Sequence, residues 1–164
     1  MSESFEAFFR KDYIRLIAFV VSCGFTADEA EEAAQEAMVA VFRRWTYVAE
    51  PQAYVRLTAR RLAVQRRQRE QQGLSLAMEA TWAGARPHAQ SFHPEPDVDH
   101  YLAIVRRLPE RQRHVFAWYL EGFSHSQIAK IEQMPEATVR SHLRHAKDRL
   151  AQWFRPGTEK GDEP

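Results

Sequence analysis

Three observations predict an all-α fold of two small helical domains joined by a flexible linker. Apolar residues recur at three- and four-residue steps through most of the chain, the period that lines one face of a helix. No stretch alternates apolar and polar residues with β-branched enrichment, the mark of a half-buried strand. Residues 73–98 break the helical pattern with two Gly, three Pro and two His, and an unpatterned run of that length reads as a linker. The 164 residues suit one ordinary domain or two very small ones. The domains are expected at 1–72 and 99–155, the linker at 73–98 and a polar tail at 156–164.

The first helix carries Phe5, Phe9, Tyr13, Leu16 and Val20 on one face and breaks at Cys23-Gly24-Phe25. Thr26 opens the second helix with Glu29 three residues on, the spacing of a capping box, in which hydroxyl and carboxylate satisfy each other's free backbone N–H. Ala30, Ala34, Ala37, Val41 and Trp45 form its buried stripe. The small residues Ala30, Ala33, Ala34 and Ala37 let another helix approach closely. Pro51 suits the first turn of a third helix. That helix carries Tyr54, Val55, Leu57, Leu62 and Val64, then dissolves into Arg66, Arg67 and Arg69. In the linker, Leu74, Leu76, Met78 and Trp82 suit a short helical turn.

The second domain opens near Asp99. Tyr101, Leu102, Val105 and Leu108 make a stripe that ends before Pro109, and Gln112 to Leu120 form a helix stopped by Glu121-Gly122. Ser124 and Gln127 repeat the capping box, with Ile128, Ala129 and Ile131 buried behind it. After a tight connection near Glu132 to Met134, Pro135 opens a last helix reaching about Phe154. This is a helix-turn-helix.

In the last helix Val139, Leu143, Ala146 and Leu150 face the core. At about 100° per residue, Arg140, Arg144 and Lys147 then share an adjoining face, and Ala137 and Ser141 point nearly opposite the core. A helix greasy on one side and small-polar plus cationic on the other fits a DNA major groove. Its N-terminus, near Thr138, presents backbone N–H groups suited to a phosphate. Taken alone, the same face also suits an ordinary solvated bundle helix.

Charge is segregated beneath a formal total of +1. Residues 1–50 carry −4, residues 51–72 carry +5, residues 73–100 carry −3 and residues 101–154 carry +4. Clustered basic charge is the footprint of a polyanion partner. Trp45, Tyr47 and Tyr54 bracket a loop before the first basic block. Aromatic rings beside cations suit capture of unstacked bases, although Trp45 also continues the buried stripe of the second helix.

The stretch Leu108 to Phe116, then Glu121-Gly-Phe-Ser124, Gln127-Ile-Ala129 and Pro135 to Leu143, resembles region 4 of sigma-70-family factors, most closely the extracytoplasmic-function (ECF) group. A LuxR-type output domain shares some of this pattern and leaves the N-terminal half unexplained. Glu29-Ala-Glu-Glu32, Gln35-Glu36 and Phe42-Arg-Arg-Trp45 look like region 2.2, and Pro51-Gln-Ala-Tyr-Val55 with Ala59-Arg60 resembles regions 2.3 and 2.4. The matches cover residues 5–69 and 101–151. They depart from the family at Arg61 and Gln65, where Asn and Asp are common, at Tyr54 for Trp, at Ala137 for Gly, and at His142 for Arg or Lys.

The resemblance implies a sigma factor, not an enzyme by itself, that needs no cofactor. Ser124, Ala137, Thr138, Arg140, Ser141, Arg144, His145 and Lys147 are expected at the minus-thirty-five element. Tyr47, Tyr54, Arg56, Arg60, Arg61, Gln65, Arg67 and Arg69 are expected at the melted minus-ten element. Glu29, Glu31, Glu32, Gln35, Glu36 and Val39 are expected to dock on the clamp helices of core RNA polymerase, whose flap is the other expected contact. Promoter DNA and an anti-sigma factor complete the expected partners, for a chain that is monomeric when free and located in the cytoplasm. Two alternatives stay open: a sigma-like decoy that binds only an anti-sigma factor, and a stand-alone helix-turn-helix regulator.

Other chemistries find little support. One cysteine, Cys23, rules out an internal disulfide. The seven histidines include His142 and His145 on one helix side and His88, His93 and His100 near the linker, without a metal-binding motif. No Gly-rich phosphate loop is present, and no apolar run approaches a bilayer span.

Overall fold

The computed structural model describes residues 3–80 and 96–153, which are helical throughout apart from turns and contain no strand. The chain divides into two compact units, Met1–Leu102 and Ala103–Pro164. Trp82, His88, His93 and the tail at 156–164 lie outside the described residues.

In the first unit, α1 (Phe5–Ser22), α2 (Ala27–Phe42) and α3 (Pro51–Ala80) pack on one another, with a short 3-10 turn at Trp45–Tyr47. Ser4 caps α1, and Gly24 follows it at φ 98°, a conformation that suits a residue without Cβ. The capping box of α2 forms as its spacing implies: Glu29 N–H donates to the Thr26 hydroxyl at 3.2 Å, and Thr26 N–H to the Glu29 carboxylate at 2.7 Å. Ala30, Ala33, Ala34 and Ala37 are all fully buried, and these small side chains let α2 sit between its two neighbours.

The buried face of α1 differs from the expected stripe. Leu16 and Val20 are buried as expected, but Phe8, Asp12 and Phe19 complete the inner face. Phe5, Phe9 and Tyr13 instead form an aromatic ladder at its edge, with Phe5–Phe9 centroids 6.1 Å apart and Phe9 stacked on Tyr13 at 4.9 Å. Trp45 is half-buried, its ring 5.5 Å from Phe5 and 5.1 Å from Phe8.

The helix expected to dissolve at Arg66 continues to Ala80. Its extension is rich in Gln, Arg, Glu and Leu, good helix formers that outweigh the roughly 1 kcal/mol cost of Gly73. The same helix buries Val55, Thr58, Ala59 and Ala63, while Leu57 and Val64 stay partly exposed.

In the second unit, α5 (Glu110–Leu120), α6 (His125–Glu132) and α7 (Glu136–Trp153) pack together, and α4 (Pro96–Val105) bridges the sequence boundary. Ile104, Leu108, Ala146 and Leu150 form one core cluster, flanked by Phe116 and Trp153. Trp118 is fully buried, and its indole N–H donates to Glu132 at 2.6 Å. That bond ties α5 to the end of α6 and satisfies a polar atom that is costly to bury alone.

Candidate nucleic-acid interface

The end of α2 and the first half of α3 enclose an open groove of about 960 Å³. Tyr54, Arg60, Arg61 and Gln65, all expected at the minus-ten element, line it, together with Arg43 and Arg44 from the turn that follows α2. A smaller apolar notch of about 370 Å³ adjoins it, lined by Tyr47, Val48, Ala53 and Tyr54 among others. Tyr54 belongs to both, and Tyr47 is 89% exposed at the rim of the notch. Cations beside an exposed ring and an apolar recess suit a single strand whose bases leave the stack.

Three of the expected minus-ten arginines stand elsewhere. Arg56 is a correction: it is fully buried and donates to both oxygens of Asp12. It also donates to the Gln52 carbonyl at 3.2 Å, and its guanidinium lies 5.9 Å from the Phe19 ring centre, so no phosphate can reach it. Arg67 turns to the start of α2. Its Nε and Nη2 donate to the two oxygens of Glu29 at 2.9 and 2.5 Å, and Nη2 also approaches the Gly24 carbonyl at 3.4 Å. Arg69 is exposed and does not line the groove.

The acidic face of α2 is engaged by the same helix. Arg66, which adds to the basic block, pairs with Glu32 and, at 3.3 Å, with Glu36. Burial lowers the Arg66 pKa, but the bonds and charges of Glu32 and Glu36 outweigh it and leave it above the ordinary value. Burial likewise raises the Glu29 carboxyl, yet the hydrogen bonds from Arg67 and the Thr26 backbone hold it below the usual carboxylate value. Among the residues expected at the polymerase, Glu31 is half-buried and Gln35 and Val39 are exposed. Phe42 continues the Gln35–Val39 row and is 60% exposed, its ring 4.8 Å from Phe5.

In the second unit the helix-turn-helix closes through Gln133 at φ 52°, whose N–H donates back to Ala129. Ser124 caps α6 and accepts from Gln127 N–H at 3.2 Å. On α7, Val139, Leu143, Ala146 and Leu150 are buried, and Ala137, Arg140, Arg144, His145 and Lys147 are exposed. Thr138 and Ser141 are half-buried on the flanks. Arg140 donates to Glu136 one turn earlier at 3.0 Å, and the Lys147 ammonium sits 4.0 Å from the Tyr119 ring centre. Arg144 makes no ion pair among the described residues and faces solvent.

Phe42, Arg43 and Arg44, read from the sequence only as part of a stretch resembling region 2.2, were not among the expected site residues. Their signal was two cations and an exposed aromatic where α2 ends beside a loop, and cations are favoured at helix C-termini. Among the described residues no group of three His, Cys, Asp or Glu is arranged to hold a metal ion, and no helix is long and apolar enough to cross a membrane.

Among the described residues, one unit is a helical bundle with a basic groove and the other a helix-turn-helix with a cationic exposed face, the features of the helix-turn-helix class. Residues 100–150 match the family model described as sigma-70, region 4. The fold is similar to that of the sigma factor RpoE, solved in complex with the anti-sigma factor NepR from Bartonella quintana, with a TM-score of 0.69 and 17% sequence identity. The similarity covers 90% of this chain and 94% of that one. A search of curated proteins found no significant match. Residues 100–150 thus carry a sigma-70 region 4 match, in a chain whose fold is similar to that of a solved sigma factor.

Proposed function

We propose that this chain is an initiation subunit that binds core RNA polymerase, directs it to promoters and opens them. The carrying observation is the region 4 match on a chain whose described fold is that of a sigma factor. In this reading, α7 enters the major groove of the minus-thirty-five element through Arg140, Arg144 and Ser141. The groove between α2 and α3 holds the displaced minus-ten strand: Arg43, Arg44, Arg60 and Arg61 meet its phosphates, and an unstacked base enters the notch between Tyr47 and Tyr54. No bond is made or broken in the DNA, so opening draws on stacking and charge neutralisation alone.

Polymerase docking falls on the row Gln35, Val39 and Phe42, because Glu29, Glu32 and Glu36 are already satisfied by arginines of α3. Two weak footholds on one promoter raise each other's effective concentration. The structural relative was solved with an anti-sigma factor, which supports a partner of that kind here, acting on a cytoplasmic chain that is monomeric when free.

The test is run-off transcription from a randomised promoter pool with core polymerase, with and without the chain. Transcripts that share two spaced motifs are expected. Their absence, with binding to an anti-sigma factor retained, moves the function to a decoy. Loss of both leaves a plain DNA-binding regulator.

A further inference from the structure

We infer that Glu29 and Arg67 form a positioning joint, touching neither polymerase nor DNA, that sets α3 against α2 and so shapes the minus-ten groove. The inference rests on the proposed function of that groove.

The two helices run antiparallel. Arg43 and Arg44 at the end of α2 line the groove with Tyr54 and Leu57 from the start of α3. Glu29, in the first turn of α2, meets Arg67 further along α3. The joint therefore ties α3 to the first turn of α2 just beyond Gln65, the last α3 residue that lines the groove. Its geometry is specific. Arg67 spends two donors on the two Glu29 oxygens, and its guanidinium lies 4.3 Å from the Phe25 ring centre. Glu29 Oε2 also accepts the Thr26 backbone N–H at 2.7 Å, so the carboxylate belongs at once to the cap of α2 and to the joint. A phosphate that claimed Arg67 would strip this carboxylate of its cation where it is only 22% exposed, and an unpaired, partly buried charge is costly.

The joint and a phosphate contact respond differently to conservative change. Lysine keeps a phosphate partner as a point charge but cannot fork across two carboxylate oxygens. The experiment uses full-length chain, core polymerase and a promoter duplex selected from the randomised pool by the unaltered chain. Arg67→Lys, which keeps the charge, is expected to weaken minus-ten opening about tenfold, the scale of a lost charged hydrogen bond. Fluorescence of a base analogue in the minus-ten element reads that loss. Glu29→Gln is expected to match it, and the double variant to fall no further. Affinity for core polymerase stays unchanged in all three, which separates positioning from general unfolding. Arg67→Ala leaves the salt dependence of promoter binding unchanged, whereas Arg61→Ala reduces its slope by about one.

Full opening by Arg67→Lys, tighter DNA binding by Glu29→Gln, a salt slope reduced by about one in Arg67→Ala, or loss of polymerase affinity in Glu29→Gln each overturns the joint. If Arg61→Ala leaves the slope unchanged, or if no promoter is selected, the groove assignment itself fails and the joint loses its role.

Discussion

Arg56 and Asp12 face each other in a two-bond ion pair, at 2.7 and 3.0 Å, where neither side chain meets water. They lie 44 residues apart in sequence. The pair joins the middle of α1 to the first turns of α3, beside the residues that line the groove. Charges so deep are retained only when each satisfies the other, and their net contribution against an apolar replacement is small. Removal of one partner is another matter, because the survivor stays buried and uncompensated.

Asp12→Ala is therefore expected to destabilise the first unit by about 3–5 kcal/mol. The paired change Asp12→Leu with Arg56→Met is expected to recover most of that loss. Hydrogen exchange of the α1 and α3 amides reads the first unit separately from the second. Equal losses for the single and paired changes would show that the pair is not the source.

Glu29 makes acid stability testable. Its folded pKa lies below the ordinary 4.5 because the Arg67 and Thr26 hydrogen bonds outweigh burial. A depressed carboxylate contributes stability that is fully present above the unfolded pKa and is lost as pH falls through the folded one. Urea midpoints of the chain and of Glu29→Gln are thus expected to differ at neutral pH and to converge on acidification below about 4.5. A constant difference across that range would remove the linkage.

Gln133 stands in the left-handed region at φ 52°, between the two helices of the helix-turn-helix. A side chain there costs about 1–2 kcal/mol, and glycine avoids it at an entropic cost of about 0.5–1 kcal/mol. Gln133→Gly is expected to raise the stability of the second unit by about 0.5 kcal/mol. Slower exchange at the Val139 and Leu143 amides would register the gain, and faster exchange would contradict it.

What the sequence revealed depended on how local the cause was. Both capping boxes, the core stripe of α7 and the Ala-lined face of α2 rest on residues within a few positions of one another, and all were legible. Asp12 and Arg56 were not, because a charged residue in a helical pattern reads as surface until its distant partner is known. The same limit split Glu29 from Arg67, assigning one side to polymerase and the other to DNA where the fold joins them. Tyr54, Arg60, Arg61 and Gln65 were legible as neighbours in one groove because a helix places them on a common open side. Arg43 and Arg44 complete that groove from the turn after α2, which spacing along α3 does not reveal.

Arg140 and Arg144 lie one turn apart on the exposed face of α7, and they differ in one respect. Arg140 already donates to Glu136, whereas Arg144 faces solvent. On the proposed function, Arg144→Ala is expected to cost about 1–3 kcal/mol of promoter binding and to relax preference at one minus-thirty-five base pair. Arg140 must first leave Glu136, an exposed partner worth under about 1 kcal/mol. Glu136→Ala removes that competitor and a negative charge facing the DNA, so tighter promoter binding is expected. The same carboxylate favours the α7 N-terminus through the helix dipole, by about 0.3–1 kcal/mol, so the variant is expected to bind more tightly while folding less stably. Affinity and hydrogen exchange measured on one sample separate the two. Weaker binding by Glu136→Ala, with α7 protection preserved, would mean that Glu136 positions Arg140 rather than competing for it.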